Sequence, residues 1–272
     1  MNIVITGSTK GIGFALAKEF LNHGDNVIVS SRNEERVRNA IQKLKELYPN
    51  NKINGITCDV TIYQDVEKLV EFSQEFFKTI DIWVNNAGTN AYINANLVDF
   101  DPEALKEVVD TTLLGTIYGC KAALKLMIPQ NQGKIFNVEG YGSRGRVTPM
   151  ALAYGATKAA IPQLTKTLSK EAEGTMIGIH TINPSMVITD LLAQDVPTEA
   201  VKIFNILAEL PETVVKFLVP RMRKIKGTNK HIRFLKFSKA MYKFMTAGRR
   251  KYKFFDEEGN LREEFLKVLN ST

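Results

Sequence analysis

Asn2-Ile-Val-Ile-Thr6 is followed by Gly7-Ser8-Thr9-Lys10-Gly11-Ile12-Gly13, and an amphipathic segment then continues to Asn22. The apolar run predicts a buried strand, and the segment after the glycines predicts a helix. The first glycine permits a tight turn, the second lets backbone approach a pyrophosphate, and the third lets the helix pack close to the strand. Free N–H groups at the start of that helix suit a phosphate. The stretch therefore predicts the first strand, turn and helix of a dinucleotide-binding fold.

The same alternation of strand and helix patterns continues to about residue 190. Short runs rich in Val and Ile predict strands at Asn2–Thr6, Asn26–Ser30, Lys52–Cys58, Ile80–Asn85, Lys134–Val138 and Gly178–Ile182. Amphipathic segments predict helices at Ile12–Asn22, Asn33–Leu47, Ile62–Lys78, Pro102–Met127 (as two helices) and Tyr154–Glu173. Because parallel strands need helical crossovers, this order predicts an α/β doubly wound parallel sheet, the Rossmann fold.

Length and composition suit one large domain or two small ones, and the pattern along the chain favours a core with an extension of the same domain. The chain has 272 residues, of which 44% are hydrophobic and 24% charged, and no apolar run is long enough to cross a membrane. We expect residues 1–190 to form the core, residues 191–255 an all-helical lid and basic amphipathic extension, and residues 256–272 a tail. Nothing ahead of the first strand has the pattern of a targeting segment.

Metal-ligating and disulfide patterns are absent from the sequence. Cys58 and Cys120 give no framework and indicate a reducing compartment. The histidines, His23, His180 and His231, are scattered along the chain and predict no metal site.

Basic residues are concentrated near the carboxyl terminus. Residues 213–255 hold 14 Lys and Arg and no Asp or Glu. Since the net charge of the whole chain is +7, the remaining residues carry a net charge of −7. The segment also holds apolar residues at a spacing of three and four: Phe234, Leu235, Phe237, Met241, Phe244 and Met245. Such a pattern is typical of a helix on an anionic membrane, and equally of a helix in a substrate lid or a solvated basic face. No nucleic-acid motif accompanies the charge.

The end of the second strand indicates which dinucleotide binds. An acidic residue there would hold the 2′-hydroxyl of NAD, but Ser31 and Arg32 occupy the region. A guanidinium suits a 2′-phosphate, and Lys10 adds a second positive charge. These residues favour NADP(H) over NAD(H).

Two further motifs resemble those of the short-chain dehydrogenases and reductases over residues 1–190. They are Asn85-Asn86-Ala87-Gly88 and Tyr154-Gly-Ala-Thr-Lys158, and Asp59 stands after the third strand as in that family. The resemblance implies that Asp59 and Val60 flank the adenine and that Asn86, Ala87 and Gly88 line the ribose. It also implies that the segment from Pro184 to Thr189 meets the nicotinamide end or a phosphate.

The resemblance assigns catalysis to Tyr154 and Lys158. Residues four apart share a helix face, and an adjacent ammonium is expected to lower the pKa of the phenol toward neutrality. Tyr154 would then protonate a carbonyl oxygen while NADPH delivers hydride to the carbon. Lys158 would also hold the nicotinamide ribose.

Several positions depart from the family pattern. Glu139 and Gly140 stand where two serines are usual, so we expect Ser143 to hold the substrate carbonyl, with Tyr141 as the other candidate. Thr112 replaces an asparagine that supports a water relay, and Ser185 replaces a glycine after Pro184.

A closer resemblance extends through the carboxyl-terminal region. Segments 7–21, 80–92, 134–149, 207–212, 217–223 and 232–235 are similar to those of the chlorophyll b reductases. That resemblance implies NADPH-dependent reduction of the 7-formyl group of chlorophyll(ide) b to 7-hydroxymethyl chlorophyll(ide). Gly140 would leave room for the macrocycle, and Asn90 and Tyr92 are candidate substrate contacts. The basic segment 213–255 would dock at a pigment-bearing membrane or light-harvesting complex, which implies a stromal or cytoplasmic location.

Two other functions fit the same motifs. One is reduction of another lipophilic aldehyde or ketone, and the other is a non-catalytic role as an NADP-binding scaffold or redox sensor. Family members usually pair through the helices at Thr112–Met127 and Tyr154–Glu173, so we expect a homo-oligomer.

Overall fold

A computed structural model of the protein describes residues 1–91, 93–189, 198–250, 252–256 and 258–265, without the side chains of residues 198, 199, 249 and 250. Its core is a parallel sheet of seven strands in the order β3-β2-β1-β4-β5-β6-β7. The strands are β1 (Asn2–Ile5), β2 (Asn26–Ser31), β3 (Ile53–Thr57), β4 (Ile82–Asn85), β5 (Gly133–Val138), β6 (Ile177–Asn183) and β7 (His231–Arg233).

Helices cover both faces of this sheet. They are α1 (Gly11–Asn22), α2 (Glu34–Leu47), α3 (Tyr63–Phe77), α4 (Pro102–Val109), α5 (Gly115–Gln130), α6 (Leu152–Glu171), α7 (Thr198–Leu207), α8 (Pro211–Lys224) and α9 (Phe237–Met245). Apolar side chains of α1, α2 and α8 pack on one face, and those of α3, α5 and α6 pack on the other. The predicted doubly wound sheet is confirmed.

The predicted pair of helices in segment 102–127 is also confirmed, with a π-helical turn between them. That turn, Asp110–Leu114, joins α4 to α5 without a break in the chain's helical course. It places Thr112, which is fully buried, beside the loop that follows β4. Such turns often accompany functional sites, and this one lies at the carboxyl ends of the strands.

The prediction that the region beyond residue 190 is all helical is wrong. β7 pairs in parallel with β6, with His231 opposite Thr181 and Arg233 opposite Asn183. A strand of three residues with two polar ends has too short an apolar pattern to be recognised, since Ile232 alone faces the core. Phe234, predicted on the amphipathic helix, precedes α9 and is buried in the main core.

The extension has a small core of its own. Ile188, Val201, Ala208, Phe254 and Phe255 pack together. Asn205 joins α7 to the later chain, because its side chain donates to the carbonyl of Phe255 at 3.0 Å and accepts from the amides of Phe254 and Phe255 at 2.7 and 2.9 Å.

A buried carboxylate next to that small core binds two lysines. Glu209 is 2.7 Å from the Lys243 Nζ and 2.8 Å from the Lys253 Nζ. Lys243 is 4% exposed and also donates to the carbonyl of Leu207 at 2.8 Å. The lysines therefore attach α9 and the chain after it to the end of α7.

Helix α9 carries its apolar side chains toward solvent. Phe237 and Met245 are 80% exposed, and Met241 and Phe244 are also exposed, whereas Lys243 points inward. The alternative in which α9 is a core helix of a lid is therefore wrong. No helix in the described part of the chain has the length and apolar character needed to span a membrane.

Both cysteines are buried free thiols, and burial raises the pKa of each to about 12. Clusters of side chains suited to a metal ion do not occur among the described residues.

Candidate active site

The glycine turn after β1 is packed against the loop after β4. Gly7 and Gly11 have φ values of +60° and +57°, which favour glycine. A Cβ on Gly7 would lie 2.8 Å from the Cα of Ala87, and one on Gly13 would lie 2.5 Å from the carbonyl oxygen of Gly7. Side chains at these positions would therefore disrupt the turn, as the sequence predicts.

Asn86 holds this turn in place. Its side-chain amide donates to the carbonyls of Thr6 and Gly7 at 2.9 Å each. The backbone amides of Asn86 and Ala87 both donate to the Thr6 hydroxyl at 3.1 Å. Asn86 thus joins the loop after β4 to the glycine turn, and its place along the ribose of a cofactor, which the family resemblance implied, stays a prediction.

The turn fits the pyrophosphate of a dinucleotide. A Cβ built on Gly11 would lie 3.5 Å from the Thr189 side chain, so the turn lies next to the segment after β6. Ser8 is buried and donates to the carbonyl of Ile5 at 2.6 Å, whereas Thr9, Lys10 and Ile12 lie at the start of α1. N–H groups at the start of a helix suit a phosphate, so this junction of turn and helix is chemically suited to a pyrophosphate.

The proposed adenine end lies at the carboxyl ends of β2 and β3. Ser31 ends β2, and the Arg32 guanidinium is 3.1 Å from Glu107 in an exposed ion pair. Asp59 accepts from the amide and hydroxyl of Thr61 at 2.9 and 2.8 Å. Val60 lies against Gly115, where a Cβ would come within 2.7 Å of it.

Tyr154 and Lys158 lie on α6 at the carboxyl end of β5. Lys158 is 4% exposed, donates to the carbonyl of Val138 at 2.9 Å, and its Nζ is 5.7 Å from the centroid of the Tyr154 ring. A Cβ on Gly88 would lie 3.6 Å from the Lys158 Nζ and 3.5 Å from the Thr112 hydroxyl. The predicted motifs after β4 and on α6 therefore meet at one site.

The predicted lowering of the phenol pKa is not found. Burial raises the pKa of Tyr154 to about 12. The ammonium of Lys158 donates to the carbonyl of Val138 and does not offset this effect. Burial lowers the pKa of Lys158 to about 8, and the charge of Glu139 opposes that change. At neutral pH Tyr154 is therefore a neutral phenol with a proton to donate.

Gly140 gives space to Tyr154. A Cβ on Gly140 would lie 2.5 Å from the Tyr154 hydroxyl and 3.2 Å from the Lys158 Cε. The space beside Gly140 is therefore occupied by the phenol of Tyr154. We expected this glycine to leave room for a macrocycle instead.

Ser143 has partners other than the predicted substrate carbonyl. It is 4% exposed, donates to the carbonyl of Lys158 at 3.0 Å and accepts from the amide of Gly140 at 3.1 Å. Its single proton is thus used within the protein, and it ties the loop after β5 to α6. The Tyr141 hydroxyl, the other candidate, donates to the carbonyl of Val147 at 3.3 Å.

Glu139 is a site residue that the sequence did not assign. It is 2% exposed, accepts from Asn183 at 2.9 Å and lies 2.9 Å from the Nδ1 of His231. Burial alone would raise its pKa, but the hydrogen bonds from His231 and Asn183 outweigh burial and bring the pKa to about 2. An acid in place of a serine was the available signal, but its partner lies on the unpredicted β7.

The remaining predicted positions fall as follows. Pro184 follows β6. Ser185, which replaces a glycine, has a φ of +67°, and its hydroxyl oxygen accepts a hydrogen bond from the backbone amide of Leu235 at 3.2 Å. Thr112 exchanges hydrogen bonds of 3.2 Å with the backbone of Thr89. Asn90 lies in the loop after β4, and Tyr92 is outside the described residues.

Known proteins share both the sequence and the fold. The short chain dehydrogenase family matches residues 1–200. The chloroplastic chlorophyll(ide) b reductase NOL of Arabidopsis thaliana is 46% identical over 269 residues, covering 94% of this chain and 77% of that protein. The probable chlorophyll(ide) b reductase NYC1 of Oryza sativa subsp. japonica is 40% identical over 274 residues, covering 95% of this chain and 54% of that protein. This chain therefore spans about half the length of the rice protein.

Two solved structures resemble this fold across most of both chains. The closed form of a serine dehydrogenase complexed with NADP⁺ has a TM-score of 0.74 and 26% identity, over 88% of this chain and 96% of the other. ElxO with NADP bound has a TM-score of 0.76 and 26% identity, over 85% and 96%. The chain that carries the glycine turn, the loop after β4 and the Tyr154–Lys158 pair thus resembles known dehydrogenases in both sequence and fold. The protein belongs to the short-chain dehydrogenase family, and it is an oxidoreductase of that family.

Proposed function

We propose that this protein reduces the 7-formyl group of chlorophyll(ide) b to a hydroxymethyl group with NADPH. The observation that carries the proposal is that the neutral phenol of Tyr154 and the buried ammonium of Lys158 lie together beside Gly88 and Gly140. The choice of substrate rests on the two plant reductases, which cover most of this chain at 40% and 46% identity.

Residues at the carboxyl ends of the strands would hold the cofactor. The backbone of the glycine turn and Thr189 would bind the pyrophosphate, Asp59 and Val60 would flank the adenine, and Gly88 would border the nicotinamide ribose. The cofactor supplies a hydride to the carbonyl carbon when it is bound. Ser31, Arg32 and Lys10 provide hydroxyl and positive groups for a 2′-phosphate, which is why we favour NADPH over NADH.

The catalytic step of this chain is a proton transfer. Tyr154 donates its phenolic proton to the carbonyl oxygen as the carbon accepts hydride, and a formyl group becomes a primary alcohol. Lys158 stabilises the phenolate that remains, because an ammonium nearby favours the charged form of a phenol. Ser143 supports this pair indirectly, since it fixes the Lys158 backbone and the loop that carries Gly140.

The test is reduction of chlorophyllide b by the protein and NADPH in detergent, with pigments separated by chromatography. We expect a 7-hydroxymethyl product that falls at least about 100-fold with Tyr154→Phe, while NADPH binding, measured by fluorescence, is unchanged. A second candidate function, reduction of another lipophilic carbonyl, is supported by product from simple aldehydes with none from the pigment. Absence of turnover on every carbonyl, with tight NADPH binding, would leave the scaffold role.

The exposed face of α9 suits an anionic membrane surface. Phe237, Met241, Phe244 and Met245 are exposed on a helix within the basic segment 213–255. We expect co-sedimentation with phosphatidylglycerol vesicles that is lost with Phe237→Ser and Met245→Ser together. This location would be stromal in a chloroplast. The homo-oligomer that we expect through α5 and α6 is tested by light scattering, where a monomer would reject it.

A further inference from the structure

Three arginines lie at the carboxyl ends of β5 and β7, two of them in the loop that follows β5 and the third at the end of β7. Arg144 and Arg146 are exposed in the loop between β5 and α6, and Arg233 is half-buried at the end of β7. Among the residues that the structure describes, none of these three guanidinium groups forms a hydrogen bond or an ion pair. Unpaired guanidinium groups that share a small region suit an anionic ligand.

Strand geometry places Arg233 on the catalytic face of the sheet. Side chains alternate along a strand, and Ile232 packs into the core beneath α8, so His231 and Arg233 point to the other face, which α6 covers. His231 reaches Glu139 there, and Arg233 stands one step nearer to the carboxyl edge, opposite Asn183. Arg233 therefore lies beside the site and beyond the Glu139–His231 contact.

The loop after β5 brings the other two arginines to the same place. Ser143 ties it to the carbonyl of Lys158, and a Cβ on Gly142 would lie 2.5 Å from the Cα of Gly155. The loop backbone is thus pressed onto α6 next to Tyr154. Burial and then the charge of Arg144 lower the pKa of Arg233, Glu139 raises it, and Arg146 lowers it, which agrees with three positive groups near one another. The nearby acid, Glu139, is already bonded to Asn183 and His231.

We propose that Arg144, Arg146 and Arg233 form a subsite for a carboxylate of the substrate, on the side of the site away from the glycine turn. The inference rests on the proposed function and narrows it. A chlorophyllide carries a free propionate, and its esters do not, so the subsite favours the free acid. Guanidinium groups bind a carboxylate through charge-assisted and often bidentate hydrogen bonds, which an ester cannot accept as strongly.

The test compares chlorophyllide b with its methyl ester, which has the same macrocycle. Binding of each to the protein saturated with NADP⁺ is measured by pigment fluorescence, and kcat/KM is measured separately with NADPH. The variants are Arg233→Gln and a double variant, Arg144→Gln with Arg146→Gln. Because Arg144 and Arg146 are exposed in a loop, the double variant is expected to fold even if Arg233→Gln does not. Arg38→Gln, exposed on α2 far from the site, is the matched control.

We expect each variant to weaken binding of the acid about tenfold and binding of the ester less than about twofold, with no effect of Arg38→Gln. Equal affinity of the wild-type protein for acid and ester would overturn the subsite. Equal losses for acid and ester would also overturn it, because they would indicate a contact with the macrocycle or a lipid-facing role. If the acid binds more tightly than the ester and neither is reduced, the subsite holds and the proposed reaction fails. If both are bound and reduced equally well, the proposed reaction holds and the subsite fails.

Discussion

Glu139 is the residue whose role differs most from what its position in the family pattern would indicate. A serine hydroxyl there could contact a substrate, whereas the carboxylate is buried and bonded to Asn183 and His231. Its charge acts instead on Lys158, whose pKa it raises against the effect of burial. We therefore treat Glu139 as a positioning residue for the ammonium.

Replacement of Glu139 by glutamine is expected to change the pH dependence of turnover. Glutamine keeps the size and hydrogen-bonding capacity but removes the charge, so the pKa of Lys158 falls further below its present value of about 8. The ammonium is the form present below that pKa, so the loss of kcat/KM with rising pH begins at lower pH in the variant. Rate profiles across the neutral and alkaline range measure this shift.

Glu173→Gln, which changes an exposed acid on the same protein, is the control for that experiment. Its profile should overlay that of the wild type. If Glu139→Gln lowers kcat/KM by the same factor at every pH, the residue has a purely structural role.

Arg32 is expected to select the cofactor. Its exposed ion pair with Glu107 contributes little to stability, so Arg32→Ala should fold normally. We expect KM for NADPH to rise about tenfold and KM for NADH to change little, because only NADPH carries the 2′-phosphate. A parallel rise in both constants would show that Arg32 does not bind that phosphate.

Single residues were predicted well where their chemistry is local. The glycines of the turn and the Tyr154–Lys158 pair need only a strand-to-helix junction and a helix face, and both lie as expected. The hydroxyl of Ser143 donates to the carbonyl of Lys158 in α6, and the amide of Asn86 donates to the carbonyls of Thr6 and Gly7. Such tertiary hydrogen bonds depend on how distant elements meet, which no local pattern encodes.

At the scale of elements, β7 shows the limit of periodicity. A strand of three residues offers a single inward apolar position, whereas β1, β2 and β4 are apolar and buried over most of their length. α9 shows the opposite problem. Its spacing is amphipathic, but the pattern alone does not reveal that Lys243 points inward and that the aromatic side chains point outward.

The attachment of α9 depends on Glu209. Glu209→Gln would leave the buried ammonium of Lys243 without its counter-charge, so we expect a loss of about 3 kcal/mol in the free energy of unfolding. Urea unfolding followed by circular dichroism measures it. Glu173→Gln, which breaks the exposed pair with Lys170, is the matched control and should change stability by less than about 1 kcal/mol. Similar small losses in both variants would contradict the role given to Glu209.

At the scale of the whole molecule, two buried carboxylates make the free energy of unfolding depend on pH in the acidic range. The pKa values of Glu139 and Glu209 are both lowered from 4.5 to about 2 by hydrogen bonds that outweigh burial. Their contribution is therefore complete above the ordinary carboxyl pKa and is lost as pH falls toward 2. We expect the urea midpoint to drop steadily in that range, and to drop less in Glu209→Gln. An unchanged midpoint between about pH 5 and pH 3 would contradict this.

The overall architecture was predictable because doubly wound folds repeat one local unit. Strand, turn and helix follow each other along the first two-thirds of the chain, and right-handed crossovers leave few ways to assemble them. The order of the later elements was not predictable, because it depends on a long excursion through α7 and α8 before the chain returns to the sheet edge.

That return has a practical consequence for any shortened version of the protein. A fragment ending near residue 200, where the match to the family stops, would keep the glycine turn, the motif after β4 and the Tyr154–Lys158 pair and still lose His231 and β7. β6 would become an open sheet edge, and Glu139 would remain beside Lys158 as a buried charge without its histidine. The catalytic residues thus depend on the carboxyl-terminal region, and exchanging that region between relatives is expected to change the charge balance around Lys158.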